Sequence, residues 1–233
     1  MIPKVIHYCW FGGRKKPRFV KNCIRSWGEF CPDFEIREWN ENNYDVNLIP
    51  FTRDAYHAHK YAFVSDYARL WILYHHGGIY VDTDVELIKP LDSMLRNEAF
   101  MGFESVNWIN SGQGIGAYSQ FSLLFEMMQE YEKLTFPADG KLIGIGCPLI
   151  NTGVLVRNGL MLNDTFQVVR GMAIYPSEYF NPYDSQTGVL NVSRNTISIH
   201  WYKKSWMNPM LKCRSKITMI VHRLLGVDFL RKH

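Results

Sequence analysis

Two carboxylates one residue apart, Asp82 and Asp84, follow the apolar run Ile79-Tyr80-Val81. In an extended segment side chains at i and i+2 share a face, so the two acids are expected to project together from a strand end, where open α/β sheets place ligands. Carboxylates that close repel unless a cation lies between them. So few protein oxygens suit Mg²⁺ or Mn²⁺ shared with substrate phosphates better than a closed protein cage. The plain alternative is a surface turn with both acids solvated. Asp66 and Arg69, three apart, share a helix face, and on an exposed helix such a pair is worth only a few tenths of a kcal/mol. Their neighbours Phe63, Val64, Tyr67, Leu70, Trp71 and Ile72 are apolar all round, which points to a buried pair that something else uses. Arg holds a phosphate in two-pronged fashion, and Asp accepts from sugar hydroxyls. Trp10, at the end of the first apolar segment, offers a stacking face for a nucleobase or fills the core.

The elements that must position these residues read as an α/β pattern. Residues 5–11 are apolar and β-rich and run into Gly12-Gly13. A helix over 17–30 opens on Pro17, and 34–39 alternates as a second strand. Strand, helix and strand at this spacing open a largely parallel sheet. Residues 53–76 read as the longest helix, ended by Gly77-Gly78, and 79–85 as a third strand that ends in acid. Further on, 100–103 reads as a strand, 120–134 as an amphipathic helix, 150–156 as a strand or short helix, and 196–199 as a last strand before His200.

Other chemistries fit less well. Gly112-Gln-Gly114-Ile-Gly-Ala117 matches a dinucleotide-binding pattern, but no βαβ unit begins there. His57 with His59, and His75 with His76, lack a third zinc ligand at useful spacing. No G-x-S-x-G elbow is present for a Ser hydrolase.

The 233 residues support one domain, and 47% hydrophobic with 21% charged residues excludes disordered and fibrous classes. Five cysteines without a paired spacing argue against a disulfide framework and for a reducing cytoplasm. No signal peptide and no membrane-spanning run is apparent. The net charge of +4 is uneven: residues 203–233 hold eight Lys/Arg against Asp228, or +7, which leaves 18 Lys/Arg and 21 Asp/Glu, or −3, elsewhere. Ile217, Ile220, Val221, Leu224 and Leu225 form a helical stripe in that tail, flanked by Lys212, Lys216 and Arg223. The tail suits either an anionic membrane interface or docking on the body. Nucleic acid is a poorer partner, since no binding motif accompanies the charge.

The stretches IPKVIHYCWFGG (2–13), SW (26–27), CPDFEIREWNE (31–41) and KYAFVSDYARLWILYHHGGIYVDTDVELIKPLD (60–92) resemble the DXD-containing sugar transferases of family 32, which include bacterial capsular-polysaccharide enzymes and fungal Golgi mannosyltransferases. The core pattern is also similar to that of clostridial glucosylating toxins. Weaker similarity covers 110–117, 146–155 and HWYKKSW (200–206). The resemblance implies a GT-A fold, a Rossmann-like and mostly parallel sheet flanked by helices, over residues 1–206, with a basic amphipathic tail at 207–233.

It further implies that Trp10 stacks on the base and the Cys9 backbone reads the base edge. Asp66 and Arg69 would hold ribose, sugar hydroxyls and diphosphate. Asp84 would ligate the metal, with Asp82 on the metal or the ribose, and His200 would be the C-terminal metal or phosphate contact. Ser205 and Trp206 would close over the diphosphate. The expected activity is a Mn²⁺- or Mg²⁺-dependent, retaining hexosyl transfer from a nucleotide-sugar donor, UDP-linked by preference, to a growing surface glycan that is compatible with a lipid carrier. The expected location is the cytoplasm, with peripheral contact on the inner membrane face through the tail. A metal-dependent nucleotide-sugar hydrolase or phosphotransferase, and a non-catalytic glycan-binding scaffold, are the competing readings.

Overall fold

The computed structural model describes residues 1–137, 146–203, 218–220 and 223. The first apolar segment forms β1 (Val5–Cys9), followed by α1 (Arg18–Phe30) and β2 (Glu35–Trp39). The helix expected over 53–76 is two helices, α2 (Pro50–His57) and α3 (Tyr61–His76). The break carries neither Gly nor Pro: His59 takes a left-handed φ of 57°, and the Lys60 amide closes the turn on the Ala55 carbonyl at 2.8 Å. Apolar periodicity runs through such a turn, which is why the sequence reads as one helix.

Strands β3 (Gly78–Tyr80) and β4 (Val85–Leu87) also replace one expected strand over 79–85. Asp82 and Asp84 therefore sit on the turn between them, where the Val85 amide donates to the Asp82 carbonyl at 3.0 Å. The acids converge because the chain folds back, not because a strand alternates. Next come β5 (Ala99–Ser105), β6 (Trp108–Asn110), β7 (Ile115–Ala117) and α4 (Ser122–Glu132). α5 (Cys147–Arg157) resolves the strand-or-helix choice over 150–156 in favour of helix, and β8 (Gln167–Val169), β9 (Met172–Tyr175) and β10 (Ser198–His200) follow.

The main sheet has eight strands in the order β2-β1-β3-β7-β5-β9-β8, with β6 paired to β5. β1 runs parallel to β2 and β3, β7 is antiparallel to both β3 and β5, and β5 is parallel to β9. Strands β1, β2, β3, β5 and β9 thus share one direction and bring their carboxyl ends to one edge. The expected α/β class with a largely parallel central sheet is what the chain adopts. One apolar cluster packs α2 to α5 on one side of the sheet around Phe51, Leu70, Met127 and Leu155; another, around Trp27, Ile79, Val85 and Phe100, lies on the α1 side. Among the described residues no helix is long and apolar enough to cross a membrane.

β4 leaves the main sheet and pairs antiparallel with β10, Val85 opposite His200. Ser26 and Trp27 secure it from α1: the Trp27 indole N–H donates to the Val85 carbonyl at 2.9 Å, and the Leu87 amide donates to Ser26 Oγ at 3.0 Å. At the other end of the acidic turn, Gly78 has φ 103°, and a Cβ there would lie 2.7 Å from His7 Nε2. Only glycine lets α3 turn at once into a strand beside β1.

His7 is fully buried in β1. Its Nδ1 accepts from the Trp39 indole at 3.0 Å, so Nε2 carries the hydrogen and donates to the Gly77 carbonyl at 2.9 Å. Burial, opposed only in part by the Gly77 bond, pulls the imidazole down to about 4. The unfolded chain binds this proton near pH 6.5, so His7 contributes its full stability above about 6.5 and loses it as pH falls towards 4. Urea unfolding should show stability declining across that window by at most about 3 kcal/mol from this group. In His7→Gln the same pH slope should be visibly flatter; an unchanged slope would refute the assignment.

Candidate active site

The turn after β3 and the end of β10 build one cluster. Asp82, Asp84 and His200 each offer a ligand atom, and these atoms lie within 4.8 Å of one another. β10 brings in His200, whose Nε2 is 3.3 Å from Asp84 Oδ1. The following backbone continues the contact: the Trp201 amide donates to the Asp84 carbonyl at 3.0 Å and the Lys203 amide to Asp84 Oδ2 at 2.7 Å. Two carboxylates and an imidazole at this spacing fit a small divalent cation, and the mixed oxygen and nitrogen set suits Mn²⁺ more than Mg²⁺.

α3 delivers Asp66 and Arg69 beneath this turn. Both are buried, and Arg69 Nη2 contacts Asp66 Oδ1 at 3.1 Å and Asp82 Oδ1 at 2.9 Å. Arg69 Nη1 reaches Ser111 Oγ at 3.2 Å and Cys147 Sγ at 3.4 Å, which leaves Nε without a partner among the described residues. The Tyr80 hydroxyl donates to Asp82 Oδ1 at 3.0 Å. With Oδ1 held twice, Asp82 Oδ2 is the oxygen free to meet a cation.

Charge in the cluster is unbalanced. Burial pushes the Asp66 carboxyl up to about 6, with Arg69 opposing, and burial likewise raises Asp82 against the pull of Arg69. For Asp84, burial is outweighed by His200 and by the Lys203 amide, so its carboxyl is held below the usual range. His200 is raised because Asp84 outweighs its burial. Asp66 and Asp82 thus share one guanidinium with Asp84 close by, an arrangement that gains from added positive charge.

Cys9 ends β1 and Trp10 follows it, and the Val81 amide donates to the His7 carbonyl at 3.1 Å, so both lie on the edge from which Asp82 emerges. Burial pushes the Cys9 thiol up to about 12, which makes it no nucleophile. Trp10 is half-buried against the cluster on the α1 side; its indole N–H donates to the Arg14 carbonyl at 2.6 Å, and the Lys16 ammonium lies 5.7 Å from its ring centre. It serves the core with part of its surface and keeps part free. Ser205, Trp206 and the boundary at 206/207 lie outside the described residues, as does most of the tail. Within the tail, Met219 Sδ meets the Tyr183 hydroxyl at 3.6 Å.

Sequence reasoning did not single out Tyr80, Ser111, Gly112, Cys147 or Asn151. Ser111 accepts from Asn151 Nδ2 at 2.9 Å as well as from Arg69, so α5 and the loop after β6 hold the guanidinium together. Gly112 lies in the apparent dinucleotide pattern, but that stretch leads into strand β7 and not into a helix. Its carbonyl accepts from the Asp82 amide at 2.8 Å. The signal available was the similarity over 60–92 for Tyr80 and the weaker similarity over 110–117 and 146–155 for the others.

Comparison with known proteins finds similarity to sugar transferases. Residues 17–101 match the family described as a glycosyltransferase sugar-binding region containing a DXD motif. Inositol phosphoceramide mannosyltransferase 1 of Schizosaccharomyces pombe is 31% identical over 110 residues, 43% of this chain and 33% of that protein. An uncharacterized glycosyltransferase, L373, of Acanthamoeba polyphaga mimivirus is 34% identical over 105 residues, 41% of this chain and 40% of its own. The matched region spans 33% and 40% of the length of these two relatives. Among solved structures, the galactosyltransferase LgtC superposes with a TM-score of 0.47 at 12% identity, over 92% of this chain and 95% of that one.

A Cβ on Gly112 would lie 2.1 Å from Asp82 Oδ2. Gly112→Ala should therefore displace the free oxygen of Asp82 and weaken Mn²⁺ binding by about tenfold or more, read by electron paramagnetic resonance titration, with the far-UV circular dichroism unchanged. Equal affinity in the variant would remove Asp82 from the cation site.

Proposed function

We propose, on the premise that residues 17–101 are a DXD-containing glycosyltransferase sugar-binding region, that this chain moves a hexose from a nucleotide-diphosphate sugar to a growing surface or capsular glycan. The observation that carries this reading is the convergence of Asp82, Asp84 and His200 from distant parts of the chain. Their donor set fits Mn²⁺ or Mg²⁺, and such an ion would neutralise the charge that grows on the diphosphate as the sugar leaves.

The remaining roles belong to the chain's own groups. Arg69 holds Asp82 and Asp66 in place and keeps its Nε for a donor oxygen. Asp66 is available to accept from ribose or sugar hydroxyls, with Trp10 against the base and the Cys9 backbone at its edge. Ser205 and Trp206 are assigned to the diphosphate by resemblance. Carboxylates engaged with a cation and an arginine are unavailable as the acid and base pair of a glycosidase.

UDP is the preferred donor nucleotide. The names of the fungal relatives favour mannose as the transferred sugar, which makes GDP-mannose the second reading. Those names also couple transfer to an inositol phosphoceramide, an acceptor anchored in lipid. A lipid-linked acceptor would place this chain at the cytoplasmic face of a membrane, with the basic tail as its contact.

Calorimetry with UDP and with GDP, each with and without Mn²⁺, should show nucleotide binding that depends on the metal and disappears on EDTA treatment and in Asp84→Ala. Absence of metal-dependent binding to either nucleotide would favour the scaffold reading. A donor-consumption screen should then show slow hydrolysis that acceptor extract accelerates. We further expect transfer with retention, visible as an unchanged anomeric configuration in NMR of the product; an inverted linkage would reject it.

A further inference from the structure

The carboxyl end of β5 brings another acid to the site edge, Glu104, which neither the cation site nor the donor contacts use. Its Oε2 accepts from Asn110 Nδ2 at 3.2 Å, and Asn110 Oδ1 accepts from the Gly112 amide at 2.7 Å. Glu104 is thereby fixed to the same loop that braces Asp82. Asn181, which follows β9, donates to the Glu104 carbonyl at 2.7 Å. Tyr202 completes the group, its ring against that of His200 with centroids 4.0 Å apart.

Two features make this group unusual. Tyr202 has φ 47°, in the left-handed region that a bulky residue rarely adopts and that surrounding structure must enforce. In addition, the Tyr202 hydroxyl faces Glu104 and Asn181, and both this hydroxyl and Asn181 Oδ1 are shielded from water without a hydrogen bond of good geometry among the described residues. Shielded polar atoms without partners are costly unless a ligand meets them. The Tyr202 phenol can donate a hydrogen bond as well as accept one.

The chemistry narrows the ligand. A carboxylate repels phosphate, so this side of the metal turn does not suit the donor diphosphate, whereas Arg69 lies on the α3 side. Two acceptor groups, a hydroxyl and an aromatic ring suit a neutral polyol, since alcohols both donate and accept. We infer that Glu104, Asn181 and Tyr202 form a subsite for the acceptor sugar and hold hydroxyls next to the one that receives the hexose. This rests on the transferase reading above.

The test measures donor consumption with Mn²⁺ and UDP-glucose, UDP-galactose or GDP-mannose, in the absence and presence of the methyl α-glycosides of glucose, galactose and mannose. At least one glycoside should accelerate consumption by the natural protein. Glu104→Gln and Tyr202→Phe should raise the concentration needed for half-maximal acceleration by about tenfold or more. The affinity for nucleotide with Mn²⁺, measured by calorimetry, should change by less than about twofold in both. Acceleration that survives in both variants, a parallel loss of nucleotide affinity, or no acceleration by any glycoside in a natural protein that binds nucleotide with Mn²⁺ would each overturn the subsite. A natural protein that binds neither nucleotide with Mn²⁺ would instead overturn the transferase reading.

Discussion

Asp66, Asp82 and Asp84 meet where the fold supplies one buried guanidinium, that of Arg69, and the rest of the site follows from that imbalance. Arg69 binds both Asp66 and Asp82 through one terminal nitrogen, Nη2, while Nη1 is held by Ser111 and Cys147, and Asp84 is left to His200. A buried charge cluster of this kind is a poor source of stability, because desolvation offsets much of the attraction. Its surplus of negative charge suits it to a cation or a ligand that brings further positive charge.

Much of the architecture serves to hold that cluster still. The parallel strands β1 and β3 present the acidic turn at their carboxyl ends, while β4 is pulled out of the main sheet and paired to β10. Ser26 and Trp27 tie β4 to α1, and α5 with the loop after β6 braces Arg69 through Ser111 and Asn151. Gly112 permits the closest approach of all, with the loop backbone set against the Asp82 carboxylate. Helices on both sides of the sheet therefore contribute to one small volume, which is how short side chains become rigid ligands.

Glu104 gives the edge a second character. On the reading proposed above, Arg69 and the acidic turn would face a phosphate-bearing donor, while Glu104, Asn181 and Tyr202 would face the hydroxyls of a neutral polyol. Such a division would let one sheet edge separate a charged donor from an uncharged acceptor. It also places Tyr202 next to His200, so that the chain segment carrying His200 turns directly towards Glu104 and Asn181.

Local pattern determined a good deal from sequence alone: the α/β class, the limits of α1 and β2 to within a residue or two, the burial of Asp66 and Arg69, and Asp82 and Asp84 as a pair. These are legible because hydrophobic periodicity and the spacing of charges act over a few residues. The break at His59 was not, since a left-handed residue without Gly or Pro leaves no mark in the pattern. The acidic turn was misread as strand for a related reason: whether β4 continues β3 depends on β10, more than a hundred residues later in the chain. Family resemblance pointed to His200, but its place beside Asp84 exists only because β10 pairs with β4. Tyr80, Ser111, Gly112 and Asn151 acquire their roles in the same way, through contacts across the fold. Tertiary structure alone decided which oxygen of Asp82 is free, what Arg69 holds, and that Glu104 shares the edge, because those facts depend on side-chain contacts between segments that no local spacing records.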